Sequence, residues 1–173
     1  GKVKIDREGS LTIEAVISLT VFLFFMMFMA NFGHIYRVQN FMTHSLAQSG
    51  QMVAFSSYAY EKRSFISDFK TIKDYFMMFE GVPVDGIEIR QAWMTKNYSE
   101  AAAYAFKYCA GGDKDTTNAL TEKYRIESID FTGTNVVDDD LLVRVKNTNH
   151  IPFAFFGIER VDMHQQIVCR LWK

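Results

Sequence analysis

The chain has 173 residues, 49% of them apolar and 23% charged, with 19 Lys and Arg against 20 Asp and Glu for a formal net charge of −1. That balance leaves no basic excess to hold a nucleic-acid backbone, and two prolines with ten glycines exclude a collagen-like or low-complexity chain. Two cysteines are too few for a disulfide-stapled miniprotein, but the averages conceal a division: from Ala15 to Tyr60 the only charged side chain is Arg37, whereas residues 61–173 hold 32 of the 39 charges.

Lys2, Lys4 and Arg7 make residues 1–9 a basic leader. Behind it, Leu11–Phe32 forms an apolar run of 22 residues whose single charge is Glu14. As a helix this run covers roughly 33 Å, enough for the roughly 30 Å hydrocarbon core of a bilayer. The run is longer than the apolar region of a secretory signal, and no small-x-small cleavage site closely follows Phe32, so the segment reads as a retained transmembrane helix. Three basic residues before the span against Arg37 alone close behind it place the N-terminus inside and residues 33–173 outside. An ionised carboxylate within hydrocarbon costs several kcal/mol unless it meets a cation or a proton, so Glu14 needs a partner; snorkelling Lys4 or Arg7 is one candidate.

The string Arg7-Glu8-Gly9-Ser10-Leu11-Thr12-Ile13-Glu14-Ala15, followed by the long apolar run, resembles the N-terminal signature of type IV pilin-like proteins, and more narrowly that of the TadE-like pseudopilins of tight-adherence pilus systems. The likeness covers residues 7–35 in detail, with a looser one in the strand-rich C-terminal part. It implies that a prepilin peptidase cuts between Gly9 and Ser10, making Glu14 the fifth mature residue. It also implies that Glu14 neutralises the new α-amine of a neighbouring subunit during assembly, as a register device and not a catalyst. The partners so implied are other pilin-like subunits, the peptidase, an inner-membrane assembly platform and the lipid bilayer.

The helix is expected to run on to Ser57, giving a long N-terminal helix over residues 10–57, roughly 70 Å in length. Ile35, Val38, Met42, Leu46, Ser49 and Val53 form one stripe, while Gln39, Asn40, Thr43, His44, Ser45, Gln48 and Gln51 are polar but uncharged. Such a helix suits packing against copies of itself, where desolvated charge is destabilising, and equally suits packing on the chain's own head. Gly33 and Gly50 are places where it could bend or fray.

The charged half, residues 58–173, reads as an extracytoplasmic α+β head. Residues 64–79 have the periodicity of an amphipathic helix, and GIEIRQAWM alternates as a strand. Residues 99–109 read as a short helix capped by Ser99, and AGGDKDTTN as a loop. KYRIESIDF, LLVRVKN and VDMHQQIVCRLW read as strands of a small antiparallel sheet packed on helix. The last strand sets Val161, Met163, Ile167, Cys169 and Leu171 against Asp162, His164 and Arg170.

No phosphate-binding glycine loop, HExxH or GxSxG occurs, so neither a catalytic site nor a cofactor is expected. His34, His44, His150 and His164 are scattered, and His164 and Cys169 fall on opposite strand faces, which argues against a metal site. Asp113, Asp115 and Asn118, and Asp138-Asp139-Asp140, offer oxygen donors of the kind calcium takes, but without the EF-hand pattern; acidic runs this short are ordinarily solvated turns. Cys109 and Cys169 both fall in the outside half, where a disulfide and two buried free thiols are equally compatible with the sequence. The reading is therefore α+β: a transmembrane and assembly helix carrying a head with a short antiparallel sheet and one or two helices. The functions it allows are a filament subunit or, alternatively, a permanently anchored single-pass protein whose head binds a partner.

Overall fold

The computed structural model describes residues 4–61, 87–110, 114–155 and 157–171. Helix α1 (Lys4–Glu61) runs unbroken for 58 residues. It contains no proline, so nothing removes a backbone donor along its length. Its two halves have different surroundings. Residues 9–30 are exposed apart from half-buried Met27, whereas from Asn31 onward one face is buried at Asn31, Val38, Met42, Ser45, Leu46, Ser49, Gly50, Val53, Ala54 and Ser57. Those steps of three and four residues trace a single stripe, and the polar residues Gln39, Asn40, Thr43, His44, Gln48 and Gln51 remain outside it. Ser45, expected outside the stripe, is part of it.

The face is covered by an antiparallel sheet centred on β3 (Asp140–Phe155). One edge of β3 pairs along most of its length with β4 (Ile158–Arg170), and β1 (Ile126–Asp130) and β2 (Asn135–Val137) share the other edge end to end. Between them the backbone leaves the ladder and the Thr134 hydroxyl replaces it, accepting from Arg144 N–H and donating to the Arg144 carbonyl, both at 3.2 Å. Strand alternation turns Leu141, Val143, Val145, Asn147 and Asn149 inward and Arg144 and Lys146 outward. On β4 the half-buried Val161, Met163, Ile167 and Cys169 alternate with exposed Asp162, His164 and Arg170, as expected.

Among the described residues the head also holds three short helices. Segment 87–94, expected as a strand, is helix α2 (Ile87–Met94). The pair Ile87 and Ile89 suggests alternation, but Ile89, Ala92 and Trp93, which pack in the core, are spaced for a helix. Lys96, at φ 57°, ends α2 in a Schellman arrangement, with Asn97 N–H on the Ala92 carbonyl and Lys96 N–H on the Trp93 carbonyl. Helix α3 (Tyr98–Cys109) is capped by Asn97 and not by Ser99: the Asn97 side chain accepts from Glu100 N–H and donates to its carboxylate. Its Ala101, Ala102, Ala105 and Phe106 are buried, and Phe106 packs on Phe41 and Phe131. The segment expected as a loop past Ala110 contains helix α4 (Lys114–Lys123), in which Asp115 and Asn118 are exposed. The helix expected over residues 64–79 lies outside the described residues.

Candidate functional site

The surface that distinguishes this molecule is the N-terminal half of α1. Among the described residues α1 is the one helix long and apolar enough to cross a membrane, and its most apolar stretch buries nothing in the head. Phe22, Phe24, Phe25 and Phe28 all stand in the open. The Thr20 hydroxyl donates back to the Val16 carbonyl at 2.8 Å, so even this polar side chain is satisfied within the helix. Gly9, Ser10 and Glu14 lie in this half, exposed on continuous helix. The four-residue step sets Ser10 and Glu14 on one face, separated by roughly 6 Å of rise. No hydrogen bond or ion pair is made to Glu14 among the described residues.

The boundary between the exposed and covered halves is made by Asn31, a polar side chain near the end of the apolar run that nothing in its local sequence marks as a contact. Its amide donates to the Phe153 carbonyl at 2.8 Å and accepts from Phe153 N–H at 3.1 Å. The side chain thus behaves as a strand neighbour would, satisfying both backbone groups of a β3 residue 122 positions away. Its only sequence signal is an amide at the end of an otherwise apolar run.

Above Asn31 the seam between α1 and the sheet is polar. Asn147 donates to Asn149 at 3.1 Å across the inward face of β3, and Gln165 reaches the Gln39 carbonyl at a long 3.5 Å. Asn147 Oδ1, Asn149 Nδ2, Gln165 Oε1 and His34 Nε2 are buried without a hydrogen-bond partner. Burial, followed by the charge of Arg125 and more weakly of Arg37, holds the His34 imidazole below its ordinary 6.5, while backbone groups of Tyr124 and His150 act in the opposite sense. Farther along, the seam is apolar and close: Cys169 Sγ sits where a Cβ on Gly50 would be, 2.5 Å away. Gly50 is therefore a place of close approach within an unbroken helix, not one of fraying.

Both cysteines are free thiols, so the Cys109–Cys169 bridge is not formed. Cys169 faces Gly50, whereas Cys109 Sγ lies 3.8 Å from Met52 Sδ. Residues two apart on a helix project about 200° from each other, which puts the body of α1 between the sulfurs. Burial pushes the Cys109 thiol up to about 11 and raises Cys169 as well. His44 and His164 are exposed, and His150 pairs with Glu127 at 3.2 Å, a carboxylate it shares with Arg160. Among the described residues no three His, Cys, Asp or Glu side chains gather as metal ligands. Asp138 and Asp139 form the two-residue turn between β2 and β3, with Asp138 at φ 55°. Asp113 lies outside the described residues.

Compared with protein-family models, with curated proteins and with solved structures, the chain gives no match.

Proposed function

We propose that this chain is a pilin-like subunit of the TadE-like kind, held in the cytoplasmic membrane by the N-terminal half of α1 before assembly and packed through that half against other subunits afterwards. In this reading the N-terminus lies inside and the head outside, in keeping with the distribution of basic residues around the span. The observation that carries it is the exposed stretch of α1 over residues 9–30, whose one charged side chain is Glu14, four residues past Ser10, and which is continuous with a half that packs into the head's core.

Such a helix is suited to two apolar surroundings in turn, lipid and the inside of a filament. Cleavage before Ser10 would create an α-amine at the mouth of the apolar helix, and an amine and a carboxylate that neutralise each other remove two desolvation costs together. Because α1 has no break, a subunit placed by its N-terminal half has its head placed as well.

The test is the mass and N-terminal sequence of the native protein made alongside a prepilin peptidase, with Ser10 expected as the first residue. A chain still carrying residues 1–9 inside assembled filaments refutes the processing step. Glu14→Ala is expected to insert into membranes normally and to fail in filament assembly. Unchanged filaments would instead favour a permanent single-pass anchor with a partner-binding head.

A further inference from the structure

The hairpin end that joins β3 to β4 carries the sequence IPFAFFGI over residues 151–158, eight residues without a charge or an amide side chain. Pro152 has no N–H to give the ladder, and the β3–β4 register shifts between His150 and Phe155, so the hairpin end departs from the regular sheet. At that end Phe153 is 45% exposed, Ile158 is 56% exposed, and Ala154 and Gly157 are also in the open. Among the described residues nothing in the head covers them.

The position of this tip along α1 is fixed. Gly50 lies against Val143 and Asn31 is bonded to Phe153, so β3 advances as α1 recedes and the two run antiparallel. Phe153 therefore stands level with the end of the apolar run at Phe32, and the strand continues beyond it through Ala154 and Phe155, roughly 7 Å further toward the N-terminal half of α1. Against the tip lies an open depression of about 400 Å³ whose wall is formed by the tip's Ile151, Pro152 and Ala154 on one part and by Arg125, His150 and Glu159 on the other. Arg160 stands beside it through the Glu127 carboxylate it shares with His150. Tyr36 and Arg37 are exposed on α1 just past Phe32. Apolar residues below, with arginine, histidine and tyrosine above, make the profile of a segment that enters the acyl boundary by some 5–10 Å while its polar rim stays among headgroups.

We infer that the β3–β4 tip is a second membrane contact, an interfacial foot that dips into the outer leaflet beside α1 and sets the height and rotation of the head on the bilayer. The inference rests on the apolar run of α1 lying in the membrane. Asn31 is the latch that makes foot and span one rigid piece. A helix alone leaves its head free to spin about the helix axis; a foot to one side of it does not.

The test places an environment-sensitive fluorophore on single cysteines in a Cys109→Ala, Cys169→Ala chain reconstituted into vesicles of phosphatidylcholine and phosphatidylglycerol carrying a spin-labelled lipid quencher near the headgroup. Leu19→Cys reports on the span, Ile158→Cys and Ala154→Cys on the tip, and Val168→Cys on the exposed far end of the same strand. The two tip sites should be quenched several-fold more than Val168, with Leu19 quenched by a label deeper in the chain. Quenching at Leu19 with the tip no more quenched than Val168 overturns the foot and leaves the span standing. Absence of quenching at Leu19 refutes the span itself and the foot with it. A tip that is unquenched in vesicles but shielded from a soluble quencher in assembled filaments is a subunit contact, which also overturns the inference. All four sites are exposed, so the labels disturb no packed core.

Discussion

Asn31 holds the most consequential single side chain in the head. Both of its amide atoms are committed to one backbone unit of β3, and both bonds are part-buried, so Asn31→Ala leaves that carbonyl and N–H without their partners. The expected loss is about 1–3 kcal/mol in chemical unfolding of the detergent-solubilised chain. Gly50 gives a sharper test, because an alanine there places its Cβ 2.5 Å from Cys169 Sγ but at an ordinary 3.7 Å from Cys169 Cβ. Gly50→Ala alone should destabilise by about 1 kcal/mol or more. In a Cys169→Ala background the same change should stabilise by up to about 1 kcal/mol, since glycine is the poorer helix former. A double-mutant cycle reads the difference, and additivity would show that the sulfur yields freely. At His34, burial and Arg125 disfavour the proton in the folded chain relative to the unfolded one. Stability from this site is therefore present above the ordinary value near 6.5 and is lost as pH falls below it toward the lower folded value. Denaturation midpoints followed between about pH 8 and pH 5 should fall more steeply for the native chain than for His34→Gln.

At the scale of elements, α1 is two helices in one backbone. Its covered half supplies Val38, Met42, Leu46 and Val53 to the core, each fully buried; its other half supplies nothing to the head. Equivalent truncations should therefore have unequal effects. Leu46→Ala is expected to cost about 2–5 kcal/mol of head stability, while Phe22→Ala, an equally apolar change less than seven turns away, should stay within about 0.5 kcal/mol in detergent. Thermal or urea unfolding of the two variants side by side makes the comparison. The sheet shows the same economy: β3 serves β4 on one edge and both β1 and β2 on the other. Losing β3's alternation would thus remove the sheet's part of the surface on which α1 lies, the rest being α3 through contacts such as Phe106 on Phe41. The short elements were the ones poorly legible in the sequence. In α2 the two isoleucines imitate a strand because eight residues span little more than two helical turns, too few for the helical period to dominate. β2 has three residues and is held by pairing with β3, a contact no local pattern announces.

For the molecule as a whole, the covered half of α1 belongs to the head and the exposed half to whatever surrounds it. A chain lacking residues 1–29 keeps Asn31 and the entire buried stripe, and is expected to be a soluble, monodisperse domain with an unfolding midpoint close to that of the full chain. A chain lacking residues 1–45 loses Asn31, Val38 and Met42 and should not fold; circular dichroism and gel filtration of the pair decide it. The sequence by itself determined the long helix, its apolar span, the near absence of charge up to Tyr60, the conspicuous Glu14 and the β4 alternation. Each of these is written in composition or in a period of 3.6 or 2 along neighbouring residues. Only the tertiary structure decided that the polar-flanked stripe of α1 lies on the chain's own sheet, that Gly50 admits Cys169, that α1 separates the two sulfurs, and that Asn31 binds a strand 122 residues away. Those facts depend on which surfaces meet across the fold, and a hydrogen bond or a close approach between distant segments leaves no trace in the spacing of residues near either end.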